Sequence, residues 1–303
     1  MKDFYGLTKR NLLIYFKDVQ AILFSLLTSI IVFALYLLFL KGTFTDAING
    51  ALKGLETIVP AEDVGMLVSG ILLVGIIGSA IITVPYTCLQ TIVKDRETKV
   101  SDDICATPIK RWKIILSYFT ASVLSSFLVT AVIFTIGITV IGFMGNLHMS
   151  TGAFFSCYGI LLLGAVSSTA LFMLVVLLFR RSSASNAFFG ILSAASGFLI
   201  GAYIPLSQFS ETIQSVCFLF PASHITVLFR NSILNGLCDS INTSIGGLDN
   251  GLFVSTIKDS FTFNASFLGN AVSISNTLLY IGLFAVCCIA AMVILYSRTY
   301  KRA

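Results

Sequence analysis

The side chains best placed to do chemistry or to transmit force lie in one charged segment, residues 94–113. It opens with Asp-Arg-Glu at positions 95–97, continues with the acids Asp102 and Asp103, and reaches a proline at Pro108. Proline cannot continue a helix and disfavours helical backbone at the residue before it, so this order predicts one short helix that ends at Pro108. A charged segment between two apolar stretches indicates a water-facing connection. The uncharged flanking stretches are residues 64–93 and 114–179.

Outside this segment, the sequence has few features that indicate a catalytic site. No glycine-rich phosphate loop ending in Lys-Ser or Lys-Thr is present. The two histidines, His148 and His224, have no obvious sequence-local partner, and the seven cysteines show no metal-binding spacing. We therefore predict no catalytic, cofactor or metal site in this chain, which is not expected to be an enzyme. Cys217 and Cys238 fall on the same predicted outer side and could pair as a disulfide.

Composition indicates an all-α integral membrane protein. Charged residues make up 11% of the chain and hydrophobic ones 56%, whereas soluble domains carry about 25% charged residues. A helix needs about 20 apolar residues to cross the hydrocarbon core. Six stretches meet that length, which predicts a six-span transmembrane domain over residues 21–303. The six stretches are residues 21–40, 64–93, 114–143, 153–179, 184–205 and 271–296.

Residues 1–20 are predicted to form an amphipathic helix at the membrane interface. Lys9, Arg10 and Lys17 alternate there with leucine and aromatic residues, which suits basic side chains that extend towards lipid headgroups. A solvated tail is the alternative. No small-residue cleavage signature follows the first apolar stretch, so we expect that span to be retained.

The positions of Lys and Arg predict the orientation in the membrane. Cytoplasmic loops retain positive charge, and most basic residues fall in the two termini, in 94–113 and at Arg180 and Arg181. We therefore expect a multi-pass protein of the cell membrane with both termini in the cytoplasm. The net positive charge reports this topology and implies no nucleic-acid partner. The basic residues left outside are Lys41, Lys53, Arg230 and Lys258.

The segment after the fifth predicted span is expected to re-enter the membrane without crossing it. Residues 212–229 are apolar but short, and Pro221 interrupts them. With basic residues inside at both ends, two crossings fit between Arg181 and the C-terminus and three do not. We predict a re-entrant helical pair with turns at Pro205 and Pro221. Residues 207–270 then comprise this pair and an extracellular loop, of which 236–270 is the polar part.

The energy source is expected to lie outside the chain. None of the six stretches carries Asp, Glu, Lys or Arg in its interior, whereas ion-coupled carriers commonly place an ionisable residue at membrane depth. Backbone carbonyls can bind sodium, so a channel or ion-coupled carrier that works without ATP remains an alternative. A membrane scaffold or receptor is a further alternative.

Residues 95–109 resemble the cytoplasmic signature of ABC transporter permeases of the type-2 exporter family, which have the type V transmembrane fold. A second stretch of the chain is also similar to that family, with Ile204-Pro205-Leu206 followed by Phe220-Pro221, Arg230 and Gly236. The chain departs from the pattern at Lys99, Val100 and Ser101, where the family favours Gly, Thr and Leu, and at Ser210, where it usually has Pro. The signature matches are Asp95, Arg96, Glu97, Asp102, Ile104, Thr107, Pro108 and Ile109.

The resemblance implies that the charged segment forms a coupling helix, which inserts into a separate ATPase subunit. It implies two such subunits, which bind ATP and Mg, and a second permease copy, identical or not. It also implies efflux of an amphipathic substrate such as a drug, antimicrobial peptide or lipid. A polysaccharide exporter of the same fold is the alternative within the family. The residues expected at the ATPase are Glu97, Asp102, Asp103, Ile104, Thr107, Pro108 and Ile109.

The resemblance also places the second and fifth spans beside the transport pathway and the dimer seam. Small residues there would let helices approach closely, although ordinary helix packing explains them equally well. Pro85 could kink the second span. The residues concerned are Gly75, Gly78, Ser79 and Thr83 in the second span and Ser193, Ser196 and Gly197 in the fifth.

Overall fold

The computed structural model describes residues 2–52, 54, 58–246, 248–267 and 269–299. Three of the basic residues used to predict the orientation in the membrane lie outside these ranges, namely Lys53, Lys301 and Arg302. The described chain is almost entirely helical. Its helices are α1 Lys2–Lys17, α2 Val19–Leu35, α3 Lys41–Leu52, α4 Ala61–Glu97, α5 Val100–Ala106, α6 Arg111–Met144, α7 Thr151–Val176, α8 Ser182–Leu199, α9 Glu211–Cys217, α10 Pro221–Ile245, α11 Leu252–Ser260 and α12 Ile274–Thr299.

Three shorter elements complete the described structure. A π-helical segment, Tyr36–Leu40, joins α2 to α3 without a break in the helix, and a 3₁₀ turn spans Leu206–Gln208. Strands β1 Ala265–Phe267 and β2 Asn270–Val272 pair as a small antiparallel hairpin. Apart from this hairpin, the prediction of an all-α membrane protein is confirmed.

Five described helical stretches are long and apolar enough to cross a membrane. They are Val19–Leu52, Ala61–Glu97, Arg111–Met144, Thr151–Val176 and Ile274–Arg298. The fifth predicted span corresponds to α8, which has 18 residues and does not meet the same test. A sixth stretch is reached only when the bent pair α9 and α10 is counted as one span.

Helix α4 forms the centre of the bundle and packs against α2, α6, α7, α8 and α10. Its 37 residues extend about 55 Å at 1.5 Å per residue, well beyond the hydrocarbon core. Glycines allow this close packing. A Cβ at Gly78 would overlap Thr226 Cγ2, and one at Gly70 would overlap Leu234 Cδ2. Pro85 lies inside the helix, which continues through it.

Helix α1 packs along α6 and turns sharply into α2. Asp18 caps the start of α2, because its Oδ1 accepts a hydrogen bond from the Ala21 N–H at 3.0 Å. The face of α1 that packs inward carries Thr8, Asn11 and Tyr15. A helix therefore forms where one was predicted, and its position at the membrane interface stays a prediction.

The predicted break at Pro221 is confirmed. Helix α9 ends at Cys217, α10 begins at Pro221, and the two helices bend by 94°. Proline suits the first turn of a helix because its missing N–H would have no partner there. The side chain of His224 and that of Tyr280 both bond to this turn, at the carbonyls of Phe218 (2.7 Å) and Leu219 (3.0 Å).

The prediction of a polar loop over residues 236–270 is wrong for the described residues. Helix α10 continues to Ile245, and α11 and the hairpin follow. The region is polar in composition, but a few apolar side chains at helical spacing pack into the main core. These buried residues include Ile241, Ile245, Phe253, Ile257, Phe261 and Phe263.

The suggested disulfide is not formed, because Cys217 and Cys238 are both free thiols. Cys217 packs in a small cluster with Leu206 and Phe218, whereas Cys238 lies in the main core on α10. A shared predicted side of the membrane is too coarse a premise to bring two sulfurs together.

Candidate functional site

The charged segment 94–113 has the form predicted for it, a short helix between two long ones. Helix α5 spans only seven residues, and Thr107, which follows it, adopts extended backbone with ψ 157°. This is the conformation that a following proline imposes. The Thr107 hydroxyl donates to the carbonyl of Ile104 at 2.6 Å and closes the last turn.

The turn from α4 into α5 is made at Lys99, which takes the left-handed conformation with φ 62°. A side chain at this φ costs free energy that glycine avoids. The first departure from the family pattern, Lys99 in place of Gly, therefore falls on the one residue of this turn where glycine is physically favoured. The start of α5 is formed in spite of that substitution.

Helix α5 has no buried residue. Asp102, Asp103 and Pro108 are exposed, as a contact with a partner requires. Ile104 and Ile109 differ from expectation, because both are half-buried and pack against the chain's own core. Part of the apolar face assigned to a partner therefore holds α5 onto its own bundle.

Asp95 lies at the centre of an ion-paired cluster just before α5. Its carboxylate accepts two hydrogen bonds from the Arg10 guanidinium, at 2.8 and 2.9 Å, and one from the Tyr118 hydroxyl at 2.5 Å. Asp95 is only 6% exposed. The bond to this carboxylate raises the pKa of the Arg10 guanidinium further above its ordinary value. The cluster ties α1, α4 and α6 together.

The next two residues bind the neighbouring helices. Arg96 Nη1 donates to the carbonyls of Leu177 (2.9 Å) and Phe179 (3.1 Å), where α7 has just ended. Positive charge at a helix C-terminus is favourable because it complements the helix dipole. Glu97 Oε2 accepts from the Ser182 N–H at 3.0 Å, at the start of α8. Glu97, expected at the ATPase, is thus engaged within its own chain.

We call this group of contacts the α5-end junction, which comprises Arg10, Asp95, Arg96, Glu97 and Tyr118. It connects the base of α5 to helices α1, α6, α7 and α8. Sequence reasoning assigned Arg10 to lipid headgroups and missed its pairing with Asp95, 85 residues away. One signal was available, since Asp95 lies only two residues after the uncharged stretch 64–93 and so is too close to the membrane to remain unpaired.

The small residues of α4 pack against helices of the same chain. Gly75, Gly78, Ser79 and Thr83 are all buried against the chain's own helices. A Cβ at Gly75 would approach that of Ala202 to 3.0 Å, and the Thr83 hydroxyl donates to the Ser25 carbonyl at 3.0 Å. Helix packing, the alternative weighed for these residues, is therefore what the structure shows.

The small residues of α8 divide between two environments. Ser196 and Gly197 are buried, and a Cβ at Gly197 would overlap the ring of Tyr203. Ser193 bonds to Thr28 of α2. A different face of α8 remains exposed, and small or apolar residues dominate it. That face carries Ala184, Ala187, Gly190, Ile191, Ala194 and Phe198.

Two adjoining cavities, each of about 390 Å³, open between α1, α2, α4 and α8 near the junction. Both are lined by Asp18, Thr87, Gln90 and Asn186, and Gln90 donates to Asn186 at 3.0 Å. The rest of the lining is mixed, with Lys94 and Glu97 in the first cavity, Ala21 in both, and Phe24 and Phe189 in the second. We call this space the α2–α8 vestibule.

Metal chemistry receives no support from the described part of the chain, where no three His, Cys, Asp or Glu side chains are grouped to hold an ion.

A family model for ABC-2 family transporter proteins matches residues 53–296, which include every helix from α4 to α11 and most of α12. The chain belongs to the ABC-2 transporter family. No curated protein matches the sequence at a significant level. As an ABC-2 family member, the chain is a multi-pass permease subunit of an ABC transporter, and membership implies association with an ATPase partner. The matched region contains α5 and four of the five residues of the α5-end junction, all except Arg10 of α1.

Proposed function

We propose that the chain is the permease of an ATP-driven exporter and that α5 is the helix on which the ATPase acts. The observation that carries this proposal is the form of α5, a seven-residue helix without buried residues between two membrane-length helices. Asp102 and Asp103 are both exposed and offer charge to basic residues of the ATPase. ATP and Mg are bound by two ATPase subunits, and this chain supplies no ATPase site.

The α5-end junction is the route by which a push on α5 reaches the membrane. Asp95, Arg96 and Glu97 follow one another in sequence, yet each binds a different neighbour, so displacement of this short stretch moves α1, α7 and α8 together. Helix α1 lies at the cytoplasmic interface and moves with the junction through Arg10. A solvated loop would have no such connections.

We further propose six spans with both termini in the cytoplasm of a cell-membrane protein. The segment from Ser182, at the start of α8, to Ala202, three residues beyond its end, runs beside α4 from Glu97 to Gly75. That stretch of α4 is about 33 Å long and so close to the hydrocarbon thickness. Helix α8 therefore counts as a span despite its modest hydropathy. The α9–α10 pair then enters from outside and returns, as the 94° bend permits.

The transported substrate is an amphipathic molecule that enters the α2–α8 vestibule from the cytoplasm or inner leaflet. A second permease copy, identical or not, packs against the exposed face of α8 and closes the path on that side. Gly190 on this face has nothing within 4 Å of the position of a Cβ, which leaves room for a neighbouring backbone. A drug, antimicrobial peptide or lipid fits the mixed lining of the vestibule.

The decisive experiment reverses the charge of α5. In vesicles that contain the permease and its ATPase partner, Asp102→Lys with Asp103→Lys is expected to abolish ATPase association or transport-coupled hydrolysis, while membrane insertion stays normal. The matched control is Asp239→Lys with Asp259→Lys, which makes the same charge change at exposed positions of the opposite end. Unchanged coupling in the α5 variant would overturn the role given to Asp102 and Asp103. Transport that survives ATP depletion would overturn the ATP-driven proposal in favour of a channel or ion-coupled carrier.

A further inference from the structure

A cleft between α2 and α6 runs along the membrane face of the protein, further along α4 than the vestibule. Its inner part has a volume of about 290 Å³ and is lined by Leu26, Ile30 and Phe33 of α2 and by Ile133 and Ile136 of α6. Its floor is formed by Leu73 and Ile76 of α4. The lining is almost wholly apolar, so this part of the cleft matches a hydrocarbon chain and excludes a polar solute.

The cleft continues towards α3 as a second part of about 310 Å³, which shares Phe33, Leu73, Ile76 and Gly137 with the first. Here the chemistry changes, because Tyr36, Lys41 and Ser69 join the lining. From Leu26 to Lys41 the helix covers about 22 Å, somewhat more than one leaflet of a 30 Å hydrocarbon core. The cleft thus has an apolar body and one polar end.

Lys41 lies at the depth of lipid headgroups. About 30 Å of helix separates it from Ala21, which lines the vestibule at the α5 end, so Lys41 is one hydrocarbon thickness away from that end. Its side chain is exposed. A lysine at this level extends its apolar stem along the protein and its ammonium group into the headgroup layer.

Tyr36 is the second observation that points to a ligand. The residue lines the cleft, and its side chain is 3% exposed. Its hydroxyl has no hydrogen-bond partner among the described residues. A buried hydroxyl without a partner costs free energy that a ligand oxygen would recover. Tyr36 also begins the π-helical segment, whose hydrogen bond from the Lys41 N–H to the Tyr36 carbonyl holds the two residues one turn apart. Such π segments occur frequently at functional sites.

We propose that this cleft is a binding site for an anionic phospholipid of the leaflet opposite α5, with an acyl chain between α2 and α6 and its phosphate at Lys41 and Tyr36. The ammonium group of Lys41 supplies the charge complementarity, and the Tyr36 hydroxyl donates to a phosphate oxygen. The site goes beyond the proposed transport path, because it needs neither the ATPase nor the vestibule. The lipid holds α2 at a fixed distance from α6.

The test uses the purified full-length chain in detergent, with phosphatidylglycerol and phosphatidylcholine of identical acyl chains as probes and native mass spectrometry as readout. The wild type is expected to bind phosphatidylglycerol with a Kd about tenfold lower than that for phosphatidylcholine. Lys41→Gln should remove this preference, and Lys258→Gln, a basic residue outside the cleft, should keep it. Equal binding of the two lipids by the wild type, or an unchanged preference in Lys41→Gln, would overturn the proposal.

Two further variants separate the acyl chain from the headgroup. Ile136→Trp fills the cleft from an exposed position on α6 and should reduce the binding of both lipids, whereas Leu128→Trp, exposed on α6 outside the cleft, should not. Tyr36→Phe should weaken phosphatidylglycerol binding about threefold without lowering the melting temperature in lipid-free detergent. If Ile136→Trp instead separates two permease copies and leaves lipid binding intact, a second copy occupies the cleft and the lipid proposal fails.

Discussion

Both ends of the bundle use arginine to hold helices together, but the partners differ. At the α5 end, Arg10 pairs with the carboxylate of Asp95 while Arg96 binds carbonyls after α7. At the opposite end, Arg230 is 3% exposed and donates to the carbonyls of Ile200 and Thr262, each at 3.0 Å. Among the described residues, Arg230 has no carboxylate partner.

The difference indicates two mechanical roles. The Arg10 side chain remains 32% exposed, so its pair with Asp95 can exchange with water and with other groups as α5 moves. The carbonyls that hold Arg230 belong to the backbone and cannot be replaced without unwinding the chain around Gly201, where φ is 71°. We infer that the α5 end transmits movement and that the Arg230 end resists it.

The largest expected effect comes from breaking the Asp95 pair. Arg10→Ala leaves a buried carboxylate with only Tyr118 as a partner, which should cost about 3 kcal/mol of folding stability. Melting in detergent checks this value, and transport-coupled ATP hydrolysis should fall with it. The double variant Arg10→Met with Asp95→Leu removes both charges and should recover most of the stability while coupling stays impaired. Recovery of coupling as well would show that the pair only stabilises the fold.

Arg230 should give a smaller effect of a different kind. Arg230→Met leaves two buried carbonyls without a donor but also removes the desolvation cost of a buried cation, so we expect a net loss of about 1 to 2 kcal/mol. Hydrogen exchange should show opening around Thr262 and at the end of α8, with no change at α1. If Arg230→Met instead increased hydrogen exchange in α1, the two ends of the bundle would not differ in mechanical role.

The smallest effect is expected at the turn into α5. Lys99→Gly removes the cost of a left-handed side chain and should stabilise the protein by about 1 kcal/mol. Lys99→Ala keeps that cost and serves as the control in the same melting experiment. If both variants behave alike, strain at this turn is not what distinguishes the chain from the family pattern.

The sequence predicted those parts of the fold that depend on local chemistry. Apolar length located the membrane helices to within a few residues in most cases, and proline marked the end of α5 and the start of α10. It failed where contacts join distant residues, as between Arg10 and Asp95. Periodicity also failed for residues 236–270, because the buried side chains there are few and widely spaced among polar ones.

Small residues left two assignments open for a related reason. Glycine and serine at helical spacing indicate that something approaches the helix closely, but they do not indicate whether it belongs to the same chain. For Gly75 and Gly78 the neighbours are Ala202 and Thr226 of this chain. The exposed face of α8 carries the same residue types in a setting that a second copy could still fill.

The central position of α4 also sets the order in which the protein can assemble. Its packing partner α10 begins at Pro221, about 120 residues after α4 ends, which corresponds to roughly ten seconds of ribosomal synthesis. During that interval, the surface around Gly70 and Gly78 has no α10 to cover it and must meet lipid or the insertion machinery. A substitution in α10 that delays docking would therefore act on biogenesis, and the newly made chain would be degraded before any transport defect could be measured.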